Sequence, residues 1–315
     1  MFCVPANLNS KFLKGIEPYS KRIGEVCLSE PKTLVGHGRP STKIRMKVEL
    51  RDFVEELKSL NVKPNYLLNS SCCGGLEFER DWISRFVKFV ERLVNVGVEN
   101  FTVTIPYLLE VLKSEFDVKV VVSVIAGIDS VRKALFWQEI GADAIYLDIS
   151  INRDFRRLKA IKGALKIEVG VVLNEACLLQ CPVRSYHFNL VSHSSREGKS
   201  YDYPLRWCRR IILENPSEII RSPWIRPEDV RHYSFLDRFK VVGRDMRTEF
   251  VVRCIKAYTE GRWRGNLVDV LPINVPFFVD NSKLDGFLNW FLEGRCDGNC
   301  LKCGYCDRVA ERVIT

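Results

Sequence analysis

The 315 residues carry a formal charge of +9, with 46% hydrophobic and 28% charged side chains, a composition that fits a globular protein of one large domain or two ordinary ones. No segment approaches the ~18 apolar residues of a membrane helix, and the N-terminal MFCVPANLNS lacks a charged flank before a long apolar run, so the sequence excludes a membrane span and predicts a soluble cytoplasmic protein. The positive balance suits an anionic partner, either RNA or a small carboxylate or phosphate, although a solvated face explains the basic clusters RRLKAIKG, RWCRR and KVVGRDMR equally well.

Short β-branched runs alternate with amphipathic stretches, predicting strands near 2–5, 25–28, 65–69, 101–105, 119–124, 144–148, 167–173 and 238–242. The clearest helix is 79–96, where Trp82, Phe86, Phe89, Val90 and Leu93 recur at helical spacing and Gly97 supplies the stop. A second spans 129–140, with Asp129 as the expected N-cap and Gly141 beyond its end. Strands alternating with helices in this way favour a (β/α)8 TIM-like barrel over an open doubly wound sheet, and no GxGxxG follows the first strand. The barrel is expected over 1–268, interrupted after strand seven by a cysteine-bearing insertion, 175–235. That insertion leaves the strand end which opens on the active-site face of a barrel. The last barrel helix is expected around 245–260, and a C-terminal extension, 269–315, holds an amphipathic stretch at 283–293 and a cysteine-rich close.

Twelve cysteines with C-x2-C and C-x3-C spacings and no secretory leader read as reduced metal ligands rather than disulfides. In NEACLLQCPVRSYH, 174–187, Cys177 and Cys181 at i and i+4 are expected to face one way on a helical turn that Pro182 terminates. Soft thiolates favour an iron–sulfur cluster or zinc, and polar Asn174, Glu175 and Arg184 argue against two cysteines simply buried in a dry core. PLRWCRR adds Cys208 between Arg206 and Arg209, cations that would lower a thiol pKa or hold an anionic substrate. Candidates for a fourth ligand are Cys72 or Cys73, just past strand three, and Cys254 inside the last helix; an open iron is the remaining option. The tail CDGNCLKCGYC places Cys296, Cys300, Cys303 and Cys306 at metal spacing, predicting a second site, iron–sulfur or zinc, in preference to completion of the first. Cys3 and Cys27 are expected to line the barrel. His187 and His193 are acid–base candidates that suit a surface role as well, and neither HExxH nor GxSxG occurs.

From strand seven onward, NEACLLQCPVRSYH, RWCRR and IRPEDVRHYSFLDRFKVVGRDMRTEFVVRCIKAYTEGRWRGNL together resemble the collagenase-like "U thirty-two" peptidase family. The resemblance implies a barrel-like catalytic domain with a 4Fe-4S cluster, Cys177, Cys181 and Cys208 matching cluster cysteines, and Arg244 matching the arginine that ends a lysine-isoleucine-glutamate-glycine-arginine signature. It also implies oxygen-independent hydroxylation, since the best understood relatives act on tRNA, ribosomal RNA or the ubiquinone ring, with prephenate as oxygen donor to RNA. The chain departs from the signature in reading Lys240, Val241, Val242, Gly243, Arg244, so any role of the missing acid falls to Glu175 or Asp245. It also has no cysteine in RPEDVRHYS and a tail of its own.

The leading expectation is an iron–sulfur enzyme that modifies RNA or a small aromatic or quinone ring without dioxygen, Arg184, Arg209 and Arg244 orienting an anionic, prephenate-like donor or the substrate. The alternatives are a peptidase, with metal at the thiolates and His187 or Glu175 as base, and a non-catalytic cluster-bearing subunit working with a partner of the same family.

Overall fold

A computed structural model describes residues 1–39, 46–199, 201 and 203–315. Eight parallel strands close into a barrel in sequence order: β1 (Phe2–Pro5), β2 (Ile23–Leu28), β3 (Lys63–Leu68), β4 (Asn100–Val103), β5 (Lys119–Val122), β6 (Ala144–Tyr146), β7 (Glu168–Val172) and β8 (Arg238–Lys240). Phe2 pairs with Phe239 and Cys3 with Lys240 to shut the cylinder. Each strand lies where the β-branched runs predict it. β6 ends earlier, at Tyr146, because Asp148 turns to accept the Ser150 amide at 2.7 Å and starts a short 3-10 turn.

Around the sheet run α1 (Ser10–Ile16), α2 (Leu50–Ser59), α3 (Arg80–Val96), α4 (Pro106–Glu115), α5 (Val131–Glu139) and α6 (Phe155–Ala164). Between β7 and β8 come α7 (Arg184–Glu197), α8 (Tyr203–Glu214) and α9 (Ser217–Arg221), and α10 (Thr248–Glu260) follows β8. On α3 the helical stripe Trp82, Phe86, Val90 and Leu93 is buried, each side chain contributing roughly 1.5–3 kcal/mol, and Gly97 ends the helix at φ 100°. The N-cap of α5 is Ser130, whose side chain accepts the Lys133 amide. Asp129, the expected cap, instead pairs with Lys133 Nζ at 2.9 Å. Among the described residues no helix is long and apolar enough to cross a membrane.

Cys3 and Cys27 face the barrel interior with Leu67, Val121, Ala144 and Tyr146. At the N-terminal end of the strands the interior turns polar. Buried Glu25 receives Asn65 Nδ2 at 3.0 Å and Asn100 Nδ2 at 2.7 Å and pairs with Arg238, which also reaches Glu168 at 2.6 Å. Gly170 makes room there, since a Cβ at this position would stand 2.7 Å from both Arg238 Cβ and Tyr146 Cε1. This closed ion-pair network is the floor of the barrel, an end that serves stability in such folds.

Beyond α10 the chain folds back along the flank. It forms α11 (Asn289–Leu292), α12 (Cys300–Cys303) and α13 (Tyr305–Val313), Val279 bridges Ile314, and Arg221 of α9 pairs with Asp307 of α13.

Candidate active site at the barrel mouth

At the C-terminal ends of the strands a cavity holds about 630 Å³ of space, counting its open mouth. Its walls gather residues from successive strand ends: Asn69 after β3, Ser123 after β5, Glu175 after β7, and Lys240 and Arg244 at the end of β8. Asn69 donates to Ser123 Oγ at 3.1 Å and accepts the Gly38 amide at 3.3 Å, pinning the segment that carries Arg39.

Cations dominate this mouth. Arg244 is 4% exposed; its Nη1 donates to Ser29 Oγ at 2.6 Å, while Nε and Nη2 are buried with no partner among the described residues. Burial, then the nearby Arg39 charge, lower its pKa to about 10, so it stays protonated at neutral pH. Arg39 donates to Glu175 Oε2 at 3.0 Å and lies 3.7 Å from Asp245 Oδ1. Burial works against its charge, but those carboxylates prevail and raise its pKa. Arg184 donates to Asp148 Oδ1 at 2.9 Å and leaves its own buried Nε unpartnered. Lys240 Nζ rests 4.9 Å from the centre of the Tyr146 ring. His37 is fully buried with both ring nitrogens unpartnered, and burial, then the Arg244 charge, push its pKa down to about 3.

The cysteine loop leaves β7 beside this cavity. Residues 175–183 form no helical turn, contrary to the i, i+4 expectation: the chain turns at Leu179 and Gln180, Gln180 at φ 50°, and α7 begins only at Arg184. Cys177 and Cys181 are nonetheless kept near Cys208. Cys177 and Cys208 feel one another's charge, as do Cys208 and Cys181, and Cys208 Sγ donates to Leu205 O at 3.4 Å. Burial, then Glu175, push the Cys177 thiol up, while Arg184 and Arg39 favour its thiolate. Among the described residues no three Cys, His, Asp or Glu side chains converge closely enough to share a single ion. Cys177, Cys181 and Cys208, with Arg184 and Arg39 near Cys177, are the residues that would hold a thiolate-bound metal or iron–sulfur group at this mouth.

The other candidates sit apart. Cys72 accepts the Gly74 amide at 3.2 Å in a loop whose Ser71 amide bonds Ser192 Oγ at 2.8 Å. At 1.5 Å per residue, that contact lies about 12 Å along α7 from its start. Cys73 and Cys254 are fully buried, their thiols pushed up to about 12 by burial and turned to Val35 O and Val270 O. Arg209 stands exposed on α8, outside the mouth lining. His187 is part-buried on α7, its pKa lowered by burial and then by Arg39, and His193 faces Arg196 Nη2 at 3.2 Å. Cys296, Cys300, Cys303 and Cys306 line a separate cavity on the barrel flank.

The chain is 34% identical to the uncharacterized protease MJ1657 of Methanocaldococcus jannaschii over 312 residues, 97% of this chain and 93% of that protein. It also superposes on the solved structure of the U32 peptidase Mk0906 with a TM-score of 0.59 and 24% identity, over 76% of this chain and 90% of that one. The chain belongs to the U32 peptidase family. No family model matches it. In this U32 protein the mouth residues absent from the sequence reading are Arg39, His37, Asn69, Ser123 and Asp148. Lys240 carried one signal, its place in the same five residues as Arg244. As a chemical unit the mouth offers fixed cations for an acid group, Glu175 held between Arg39 and the cysteine loop, and an imidazole at its rim.

Proposed function

We propose that this U32 family member is an iron–sulfur enzyme that hydroxylates or otherwise modifies RNA or a small aromatic or quinone ring without dioxygen, with a prephenate-like carboxylate as the anion held in its mouth. The observation that carries the reading is Arg244, buried in the mouth with two unpartnered nitrogens. A buried guanidinium in that state is matched by a carboxylate or phosphate, which takes two hydrogen bonds in parallel.

Arg244 and Lys240 hold the acid group, with Arg184 steered toward it by Asp148. Glu175 positions Arg39, and His187 at the rim exchanges a proton with the substrate or solvent. A 4Fe-4S cluster on Cys177, Cys181 and Cys208, with one iron open, supplies one-electron chemistry when bound. The cytoplasm is the compartment that keeps such thiols reduced.

The test is anaerobic purification with iron and sulfide analysis, followed by calorimetry with prephenate. Cys177→Ala loses the mouth iron, and Arg244→Met weakens prephenate binding at least tenfold, about 1.4 kcal/mol. Iron content untouched by Cys177→Ala, together with unaltered binding by Arg244→Met, overturns the reading.

A second reading, peptide hydrolysis, is favoured by the printed names of MJ1657 and Mk0906. Arg244 would then hold a peptide carboxylate. Cleavage of a peptide library by iron-free protein, lost in Arg244→Met, selects this reading. A third, a non-catalytic subunit, is favoured by Val242, an apolar lining residue where the signature has its acid. Turnover seen only with a second U32 protein present selects it.

A further inference from the structure

Cys296, Cys300, Cys303 and Cys306 line one small, open flank cavity together with Arg221, Trp290 and Asp307, none of which the mouth uses. Local turns bring them there. Asp297 Oδ1 accepts the Asn299 amide at 2.8 Å and leads into α12, which carries Cys300 and Cys303. Gly304 at φ 58° then breaks the chain so that α13 opens with Cys306 in its first turn.

Two buried N–H groups of this lining lack partners among the described residues: Arg221 Nε and Trp290 Nε1. Neither side chain is loose. Arg221 is tied to Glu218 at 2.5 Å and to Asp307, and Trp290 stacks on Tyr305 at 4.5 Å and 9°. Donors fixed in place without acceptors imply an acceptor that arrives with a ligand.

Arg153 lies behind the cavity, 9% exposed. Its guanidinium donates to Ile220 O at 2.8 Å and Trp224 O at 3.0 Å and packs on the Trp224 ring at 4.4 Å, all neutral partners. Burial lowers its pKa, and the neighbouring groups that oppose this are Cys306, then Tyr233, Asp229 and Cys296. A buried cation is costly without an anion nearby, and thiolates bound to metal supply one.

Four cysteines at C-x3-C-x2-C-x2-C spacing on one cavity wall suit a four-iron cluster, which takes one thiolate on each iron. We infer that the flank cavity is a second iron–sulfur site, a 4Fe-4S cluster on Cys296, Cys300, Cys303 and Cys306, with Arg153 and Arg221 offsetting its charge and Arg221 Nε and Trp290 Nε1 donating to its sulfurs.

The two cysteine loops touch: a Cβ at Gly298 would lie 3.9 Å from Gln180 Nε2, so the experiment has to separate the sites. The full chain is reconstituted anaerobically with ferrous iron and sulfide as wild type, as the mouth variant Cys177→Ser/Cys181→Ser/Cys208→Ser, and as a tail variant that adds Cys303→Ser/Cys306→Ser to those three changes. The mouth variant keeps about four irons and four sulfides and a paramagnetic signal after dithionite. The tail variant loses that signal. Arg153→Met, which keeps the packing and removes the cation, shifts the remaining cluster to a more negative reduction potential. Stoichiometric zinc, a metal-free mouth variant, or a dithionite signal surviving in the tail variant overturns the inference. Failure of the mouth reading looks different: the wild type and the mouth variant then hold equal iron.

Discussion

The barrel floor gives a prediction whose size follows from the geometry. Glu25 is 2% exposed and Arg238 3%, and the two are paired in the interior. Arg238→Met strands the carboxylate with Asn65 and Asn100 as its amide donors, at 3.0 and 2.7 Å. Breaking a buried pair from one side costs roughly 3–5 kcal/mol, and the two amides place this case near the lower end, about 3 kcal/mol. For a chain of this length that is a fall in melting temperature of about 5 °C. The pH dependence is specific. In the wild type, burial opposes the charge of Glu25, but the Arg238 charge and hydrogen bond outweigh it and hold the carboxyl below its ordinary value of 4.5. That stabilisation is present above the unfolded pKa and lost as pH falls through the folded one. In Arg238→Met burial is opposed only by the remaining hydrogen bonds to Glu25, the folded pKa rises above the unfolded one, and the variant loses stability as pH rises. The deficit against wild type is therefore larger at pH 7 than at pH 5. Adding Glu25→Gln removes the stranded charge and restores most of the loss. Urea unfolding at both pH values measures all three proteins. A deficit under about 1 kcal/mol, or one equal at the two pH values, refutes the reasoning.

His37, held neutral to about pH 3 by burial and then by Arg244, takes up a proton on unfolding below its ordinary pKa of 6.5. Its contribution to stability is present above pH 6.5 and falls by about 1.4 kcal/mol per pH unit below it, about 2 kcal/mol by pH 5. His37→Gln flattens the stability–pH curve by that amount, and parallel curves contradict the account. Gly170→Ala forces a methyl against Arg238 and Tyr146 and costs roughly 1–3 kcal/mol, whereas Gly163→Ala, in open space on α6, gains roughly 0.5–1 kcal/mol. Thermal shifts of the same sign in this pair would disprove the assignment. Arg244→Met removes a desolvated charge with two unmatched nitrogens, so it raises the melting temperature of the ligand-free protein while weakening anion binding. A lowered melting temperature counts against an unfilled site.

The barrel was legible because its strands are apolar β-branched runs whose period is local, and α3 because Trp82 to Leu93 repeat at helical spacing. The turn through Cys177 and Cys181 was not. Leu179 is as good a helix former as any, and nothing local reports that Gln180 adopts a positive φ against the tail loop. Arg39 was invisible for another reason: HGRP has no periodicity, and its partners Glu175 and Asp245 are more than a hundred residues away. Arg209 sits among the same cations in sequence as Cys208, yet the helix turns it to solvent. The tail cysteines suggest a metal by spacing alone, while Arg153 and Arg221 near them came only with the fold.

Three buried arginines show why such distant partners decide the chemistry. Arg238 on the floor meets two carboxylates, so its desolvation is offset within the protein and nothing further is needed there. Arg244 is equally buried but finds one hydroxyl, and Arg153 finds backbone carbonyls and ring faces. Neutral partners satisfy hydrogens without cancelling charge, and an uncancelled charge inside a protein costs several kcal/mol. The fold tolerates that cost at both places: Arg244 lines the mouth cavity, and Arg153 packs on Phe291, which lines the flank cavity. Under the two proposals, an incoming anion would lower the energy at either one, a substrate acid group at Arg244 and a thiolate-ligated cluster at Arg153. The same electrostatic deficit would then select the ligand in both sites, and its absence on the floor leaves that end of the barrel to stability.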